Sequence, residues 1–225
     1  MSNLRLVLIS DVHSRYSNLV LPEGDILICS GDATMSGKLQ EVVDFAHWFG
    51  SQNYKHKILV AGNHDFLFQD HPEEARKLCI DNNITYLESK DVVIDGIKFY
   101  GDPWTKWFFD WAFNLSRYDM LAVKEHWAKI PDDTNVLILH GPAWGILDKI
   151  PSGHPVGCEF LLSRINKLKD LKLFQFGHIH HSYGIKDCGD FIAANASICD
   201  ERYNPVNKPL VFDIDTETKK IEWGI

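Results

Sequence analysis

Five short polar motifs hold residues whose types and spacing could bind a metal ion. They combine carboxylate, amide and imidazole side chains, and none of them contains a cysteine. Donors of this mixture suit Mn, Fe, Zn or Mg, whereas the absence of thiolate argues against a structural zinc site. The motifs, in chain order, are Asp11-Val12-His13, Gly31-Asp32, Gly62-Asn63-His64-Asp65, His140-Gly141 and Gly177-His178-Ile179-His180.

Each motif taken alone is a weak signal. An aspartate and a histidine two residues apart occur often by chance, and a lone Gly-Asp usually marks a turn. The motifs at 62–65 and 177–180 are stronger, since polar residues directly behind an apolar run have no packing reason to be there. All five in this order, each behind such a run, indicate a shared site.

The apolar run before each motif is typical of a buried strand. In an open α/β sheet, the carboxyl ends of the strands line the ligand crevice. The five loops can therefore deliver seven donor side chains to one place, and the neighbouring glycines let the backbone approach closely. The predicted strands cover residues 6–9, 26–28, 58–60, 136–139 and 173–176, with further strands at 97–100, 191–194 and 210–214.

Helical patterns lie between the predicted strands. The first runs over residues 39–49, with apolar side chains at helical spacing. The second covers 116–129 and opens with Ser116 and Asp119 at the spacing of a capping box, and the third covers 159–168. This alternation predicts an α/β fold with a largely parallel central sheet.

The composition limits the classes of partner. The 225 residues are 45% hydrophobic and carry a net charge of −8, with no basic run. An acidic surface repels polyanions, so long DNA or RNA is not expected as a partner. No repeat or Pro/Gly/Ser-rich linker divides the sequence, and we expect a single domain over residues 1–225.

The cysteines and the N-terminal residues give no indication of export. The five cysteines are scattered, odd in number and without CxxC spacing, as expected for reduced thiols. The apolar run at residues 4–9 is too short for a signal sequence or a membrane span. We therefore expect a soluble, cytoplasmic protein without a membrane partner.

The order and spacing of the five motifs resemble those of the calcineurin-like metallophosphoesterase superfamily, over residues 11–180. The resemblance implies a four-layer fold, in which a two-sheet β-sandwich is flanked by helices and metal ions lie at the strand ends. It also implies a binuclear centre. One metal would be held by Asp11, His13 and His180, the other by Asn63, His140 and His178, and Asp32 would bridge the two.

The same resemblance leaves His64 free of metal and gives it a catalytic role. Two cations about 3.5–4 Å apart can lower the pKa of a bridging water toward neutrality, and the resulting hydroxide would attack phosphorus. His64 would protonate the leaving alkoxide or hydrogen-bond a phosphoryl oxygen, and proton transfer is typically worth about 10²–10⁴ in rate. Asn63 and His64 are the expected substrate contacts. Asp65 would orient His64 or, more commonly for this position, cap a helix.

A second set of segments resembles the metallophosphoesterase-domain-containing (MPPED) subfamily, and together with the motifs it covers nearly the whole chain. Members are associated with phosphodiesterase activity on cyclic nucleotides and related small diesters. Some animal members have glycine at the position of His178, whereas this chain keeps the histidine, which implies full ligation. The segments are residues 100–107, 113–115, 156–159, 183–184 and 195–197.

The expected function is hydrolysis of small phosphodiesters, such as cyclic nucleotides, with two divalent ions, Mn first and Fe, Zn or Mg as alternatives. The nearest rival is a phosphomonoesterase on the same site. Serine/threonine phosphatases of the superfamily carry GDxxDRG, whereas Gly31-Asp32 continues as Ala33-Thr34-Met35-Ser36, so the arginine that grips a monoester is missing. A catalytically weak metal-binding interaction module is the other rival.

An aromatic cluster between residues 104 and 113 has two interpretations. It could form a base-stacking wall over the metals, or pack as core beneath a long loop. Among the other polar residues, His154 and His181 are candidates for the pocket, and Arg202 and Lys208 for phosphate contacts. The cluster consists of Trp104, Trp107, Phe108, Phe109, Trp111 and Phe113.

Overall fold

Two β-sheets of six strands each lie at the centre of the structure, a computed structural model that describes residues 3–223. The first sheet contains β1 (Asn3–Ile9), β2 (Ile26–Ser30), β3 (His56–Val60), β4 (Thr85–Tyr86), β11 (Leu210–Asp215) and β12 (Ile221–Trp223). The second contains β5 (Lys90–Ile94), β6 (Ile97–Asp102), β7 (Val136–Leu139), β8 (Leu173–Phe176), β9 (Gly184–Asp187) and β10 (Ile192–Asn195).

Parallel strands form the middle of both sheets. In the first, β1 to β4 are parallel neighbours, β11 pairs antiparallel with β1, and β12 pairs antiparallel with β11 at the edge. In the second, β6, β7, β8 and β10 are parallel, with β5 and β9 antiparallel at the edges. Ser10, directly after β1, forms a parallel bridge with Ser197, which follows β10. The carboxyl ends of the two sheets therefore meet where the polar motifs begin.

Helices cover the outer faces of both sheets. The first sheet packs on α1 (Leu39–Gly50), α2 (Phe66–Asp70) and α3 (Pro72–Asp81). The second packs on α4 (Met120–Ala128) and α5 (Glu159–Ile165). A middle core between the sheets completes four layers, as the resemblance implied. Within residues 3–223, no helix combines the length and the apolar composition that crossing a bilayer requires.

Burial on both faces of each sheet explains the continuous apolar runs. In β1, Leu6 and Leu8 face the second sheet, while Val7 and Ile9 face the helices. Strands covered on both sides need apolar residues at nearly every position. This is why the runs are a stronger sequence signal than the polar loops that follow them.

The structure corrects two predictions about these elements. The strands divide between two mixed sheets and do not form one largely parallel sheet, since an apolar run does not encode which sheet a strand joins. The helix predicted over 116–129 begins at Met120. Asp119 caps it by accepting from the Ala122 amide at 2.9 Å, while the Ser116 hydroxyl accepts from the Asp119 amide and closes the preceding turn.

Candidate metal centre

The loops after β1 and β8 bring three predicted ligands into contact. Nε2 of His180 lies 3.2 Å from Nε2 of His13 and 3.2 Å from Oδ1 of Asp11. Asp11 and His13 are buried, and His180 is half-buried. Donor atoms of all three lie within 4.8 Å of one another, which is close enough to share one cation.

A second group forms beside the first from the loops after β2, β3, β7 and β8. Nε2 of His140 lies 2.9 Å from Oδ1 of Asn63 and 3.3 Å from Oδ1 of Asp32. A donor nitrogen of His178 lies within 4.8 Å of the donor atoms of Asp32 and His140. The other Asp32 oxygen is 3.7 Å from Nε2 of His13, so Asp32 lies between the two groups. The structure thus brings all seven predicted ligands together.

Backbone carbonyls fix the orientation of two of the imidazole rings. Nδ1–H of His180 donates to the carbonyl of Asp200 at 2.8 Å, and Nδ1–H of His140 donates to the carbonyl of Ser30 at 2.9 Å. With Nδ1 occupied in this way, Nε2 of each ring faces the centre. Such outer partners are typical of metal-binding histidines.

Two residues that support Asp11 have no role predicted from the sequence. The Ser197 hydroxyl lies 2.8 Å from Oδ2 of Asp11 and 2.8 Å from Oδ1 of Asn195, and it can donate to either oxygen. The amide nitrogen of Asn195 in turn donates to the carbonyl of Ile179 at 2.9 Å. The sequence did contain an indication of their position, because residues 195–197 follow a predicted strand, as the ligand motifs do.

Four of the ligand residues have an unusual backbone conformation. The φ angles of Asp11, His13, Asp32 and His178 are 50°, 42°, 50° and 66°, in the left-handed region. Non-glycine residues adopt this region rarely, and aspartate and histidine are among the more tolerant. Such local strain persists where the surrounding structure imposes it, and it clusters at functional sites.

Two glycines beside the ligands are required for close approach. A Cβ atom on Gly177 would lie 1.9 Å from Oδ2 of Asp11, and one on Gly62 would lie 2.3 Å from Oδ1 of Asp32. No non-bonded contact between carbon and oxygen is that short, so any side chain there would displace a carboxylate. This is the physical reason that glycine accompanies the ligands in these motifs.

The buried carboxylates and two of the histidines stabilise each other as ions. Burial raises the pKa of Asp11, but the hydrogen bond and charge of His180 outweigh it and hold the pKa well below its usual range. At Asp32, burial is likewise outweighed by His140, and the pKa falls. In return, burial lowers the pKa of His140 and His180 but the aspartates raise it, to about 9 for each ring.

The donor set fits divalent metal ions. Burial lowers the pKa of His13 and His178 to about 4, so both rings are neutral donors of lone pairs near pH 7. In the part of the chain that the structure describes, no lysine or arginine pairs with Asp11 or Asp32, and only imidazolium groups balance their charge. Cations can take over that balance and bind the converging oxygen and nitrogen atoms.

His64 lies at the edge of this centre, where it faces the cleft. Nδ1–H donates to the carbonyl of Met35 at 2.7 Å, and Nε2 is 3.9 Å from Oδ2 of Asp32. The indole of Trp111 stacks on the ring with centroids 4.2 Å apart. Nε2 of His64 is therefore the nitrogen available for a proton transfer.

Asp65 has neither of the roles considered from the sequence. It stands at the N-cap of α2, but its side chain makes no capping hydrogen bond. Its carboxylate accepts from the amides of Gly62 at 2.8 Å and Thr34 at 2.9 Å, and from the Thr34 hydroxyl at 2.7 Å. Asp65 thus joins the loops after β2 and β3. Burial and the charge of Asp32 raise its pKa to about 6.

A cleft of about 650 Å³ opens directly onto the metal centre. Its lining includes His154 and His181, as considered from the sequence, but neither Arg202 nor Lys208. The aromatic cluster divides: Phe113 is buried in the core and Phe109 is exposed. The members of the cluster that line the cleft are Trp104, Trp107, Phe108 and Trp111, and other parts of the chain add Trp127, Trp144 and Tyr203.

Tyr203 is a cleft residue that the sequence analysis missed. Its ring meets the edge of His13 with centroids 4.7 Å apart and lies 5.8 Å from the ring of His180. It sits in an irregular loop after β10, which carries no motif. No sequence signal distinguished it from the other tyrosines.

A family model and a human relative both match this chain over most of its length. The family model for calcineurin-like phosphoesterases matches residues 4–182. The human protein "Metallophosphoesterase domain-containing protein 1" is 38% identical, over an alignment that covers 94% of this chain and 71% of the human one.

Two solved structures share the fold at low sequence identity. The protein TT1561 of Thermus thermophilus has a TM-score of 0.62 at 11% identity, with 99% of each chain covered. A dimetal phosphatase from Danio rerio has a TM-score of 0.52 at 12% identity, with 93% of this chain and 92% of that chain covered. These likenesses concern the fold alone.

The matched segment contains every motif that supplies the metal centre. The family is binuclear and metal-dependent, and membership supports metal-dependent phosphoester hydrolysis in general. Fold, clustered donors, family match and human relative all lead to the same assignment. This chain belongs to the calcineurin-like phosphoesterase family.

Proposed function

We propose that this protein is a phosphodiesterase that hydrolyses small phosphodiesters such as cyclic nucleotides. The observation that carries the proposal is the cleft, whose aromatic wall adjoins the candidate ligands. A flat apolar wall suits a nucleobase or an aryl group, and stacking on aromatic side chains is worth roughly 1–3 kcal/mol per base. The charge of −8 disfavours a long nucleic acid, so the partner is a small diester or nucleotide.

In this proposal, two divalent cations would occupy the centre. Mn is the first candidate, and Fe, Zn and Mg are the alternatives. When bound, the two cations would neutralise negative charge on the phosphoryl group and lower the pKa of a water molecule. Asp32 would be shared by the two sites, since its Oδ1 lies 3.3 Å from Nε2 of His140 and its Oδ2 lies 3.7 Å from Nε2 of His13. One site consists of Asp11, His13 and His180, and the other of Asn63, His140 and His178.

His64 supplies the proton for the leaving group. Because its Nδ1–H is held by the Met35 carbonyl, the protonated ring donates from Nε2, which faces the cleft. Water adds to phosphorus and releases one proton to solvent, the bond from phosphorus to the leaving oxygen breaks, and the Nε2 proton passes to that oxygen. Solvent then returns a proton to His64. Asn63, at the same end of the cleft, can bind a phosphoryl oxygen through its amide nitrogen.

The scarcity of basic side chains in the cleft favours a diester over a monoester. Among the described residues that line it, Lys106 is the only lysine or arginine, and its ammonium group contacts the Gly157 carbonyl at 3.2 Å and Glu159 at 3.3 Å. This lining therefore offers no arginine clamp for a dianionic monoester. A diester, with one negative charge, has less need of one.

A direct comparison of matched substrates tests the proposal. With Mn-loaded protein, kcat/KM for 2′,3′- and 3′,5′-cyclic nucleotides and for an aryl phosphodiester should exceed that for the matching monoesters by at least about tenfold, or roughly 1.4 kcal/mol. Equal or faster turnover of monoesters would identify a phosphomonoesterase on the same site. Metal binding without turnover of any ester would identify a binding module.

A further inference from the structure

At the rim of the cleft, the structure exposes an outer aromatic strip formed by Trp107, which also lines the cleft, and by Phe109, Arg117 and Tyr118. The exposed fractions of the three rings rise along the strip, from 36% for Trp107 to 63% for Phe109 and 82% for Tyr118. Aromatic rings this exposed do not gain the favourable free energy of removal from water unless a ligand covers them.

The strip is continuous with the metal centre. The ring of Phe108 lies 6.2 Å from that of His178, a proposed metal ligand, and 4.7 Å from that of Phe109. Phe109 is in turn 6.2 Å from Trp107. A ligand bound at the metals can therefore extend over the strip without a gap.

Arg117 is the cation of the strip, and its hydrogen-bond donors are free. The guanidinium lies 4.3 Å from the centroid of Trp107 and 4.8 Å from that of Tyr118. Within residues 3–223, the guanidinium makes no hydrogen bond and no ion pair. Its five N–H donors can therefore bind a phosphate, while the rings of Trp107 and Tyr118 keep the guanidinium in position.

Hydrogen bonds hold the loop that carries the rings in place before any ligand arrives. The amide nitrogen of Asn114 donates to the carbonyls of Phe109 at 2.7 Å and Trp111 at 2.8 Å, and its oxygen accepts from the Phe108 amide at 2.9 Å. The backbone of Ala112 donates to the carbonyl of Asn63 at 3.1 Å. Such preorganisation lowers the entropy that binding must offset.

We propose that the outer aromatic strip is a second nucleotide subsite, and that the protein cleaves dinucleotides that carry a terminal phosphate. The inference rests on the proposed phosphodiesterase function. One nucleotide lies in the cleft, the internal diester lies at the metal centre, the second base stacks on Phe109 and Trp107, and the terminal phosphate binds Arg117. Water adds to the internal phosphorus and releases one proton to solvent, and the bond from phosphorus to the 3′ oxygen of the nucleotide on the strip breaks. That oxygen takes the Nε2 proton of His64, so that a dinucleotide with a 5′-terminal phosphate yields two 5′-mononucleotides.

Steady-state kinetics with two diesters tests the subsite. The measured quantity is the ratio of kcat/KM for a 5′-phosphorylated dinucleotide to kcat/KM for an aryl phosphodiester that reaches the cleft alone. In Phe109→Ser and in Arg117→Gln this ratio should fall at least about fivefold, from lost stacking and lost phosphate binding respectively. Ile80→Ser, which removes a comparably exposed apolar side chain from α3, should leave the ratio unchanged.

A binding measurement separates this inference from the proposed function. Calorimetry with a dinucleotide linked by a non-hydrolysable methylenephosphonate should show tighter binding to the unaltered protein than to either variant, whether or not any ester is turned over. Equal binding to all three, or an unchanged kinetic ratio, would overturn the subsite. Adsorption of the protein to phosphatidylcholine vesicles that is lost in Phe109→Ser would also overturn it, in favour of a lipid surface.

Discussion

At the scale of single residues, the centre depends on which nitrogen of each histidine is free. His140 and His180 both donate from Nδ1 to backbone carbonyls, so that Nε2 faces the carboxylates. In the metal-free chain, these two rings carry protons on Nε2 because Asp32 and Asp11 raise their pKa to about 9. The protons stand in for the positive charge that metal ions would bring.

Metal uptake should therefore release protons. A ligating imidazole must be neutral, so binding at pH 7 displaces about two protons per chain, one from His140 and one from His180. His13 and His178 add none, because their pKa of about 4 already leaves them neutral. Affinity should rise between pH 7 and pH 9 as the raised pKa values, about 9 for both rings, are approached. Calorimetric titration with Mn²⁺ in two buffers of different ionisation enthalpy measures the release, and a buffer-independent heat would contradict it.

At the same scale, His64 is proposed to donate a proton and not to bind metal. His64→Ala should leave metal content near normal and should lower kcat by about 10²–10⁴, chiefly for substrates with poor leaving groups. A nitrophenolate leaves without a proton, so its diester should be affected least. His47→Ala on the exposed face of α1 is the matched control. Because a ring nitrogen of His64 also lies within 4.8 Å of donor atoms of His13 and Asp32, loss of metal from His64→Ala would make it a ligand instead.

At the scale of elements, five strands (β1, β2, β3, β7 and β8) place predicted ligands through the loops that follow them at the carboxyl edge. The sequence predicted this well, since the apolar runs at 136–139 and 173–176 coincide with β7 and β8. It placed the supporting residues Asn195 and Ser197 behind a predicted strand but gave them no role, because their hydrogen bonds to the centre depend on the pairing of segments from opposite ends of the chain. Tyr203 was missed because its loop has no periodic pattern.

The glycines of these loops give a prediction at this scale. Gly177→Ala should displace the Asp11 carboxylate and the Ser10 hydroxyl, since the new Cβ would lie 1.9 Å and 2.2 Å from their oxygens. We expect loss of bound metal and of hydrolysis, with a free energy of unfolding lowered by about 1–3 kcal/mol. Gly189→Ala, with φ at +86° and no neighbouring atom within 4 Å of the new Cβ, should lower the free energy of unfolding by about 1–3 kcal/mol through backbone strain but keep its metal. Metal analysis and thermal unfolding of both variants check this.

At the scale of the whole molecule, the site exists because two sheets meet. The amide nitrogen of Gln175 in β8 donates across the interface to the carbonyls of Ile9 and Ile28, at 3.1 and 3.3 Å. This juxtaposition places ligands from β1, β2 and β3 beside those from β7 and β8. The order of the motifs predicted the ligand set, whereas the division of the aromatic cluster between core, cleft and surface needed the three-dimensional structure.

We propose that seven side chains form one centre for two metal ions, that Asp32 is shared by the two ions, and that this centre hydrolyses diesters. The most direct test is to strip the protein with a chelator, titrate it with Mn²⁺, and follow bound metal and aryl phosphodiester hydrolysis in the same samples. We expect activity to appear as binding approaches two ions per chain. We also expect that Asp32→Asn lacks both metal and activity, while Asp213→Asn, whose carboxylate pairs with Arg5 at 2.9 Å, keeps both. Full activity with one ion per chain, or in Asp32→Asn, would contradict the proposal.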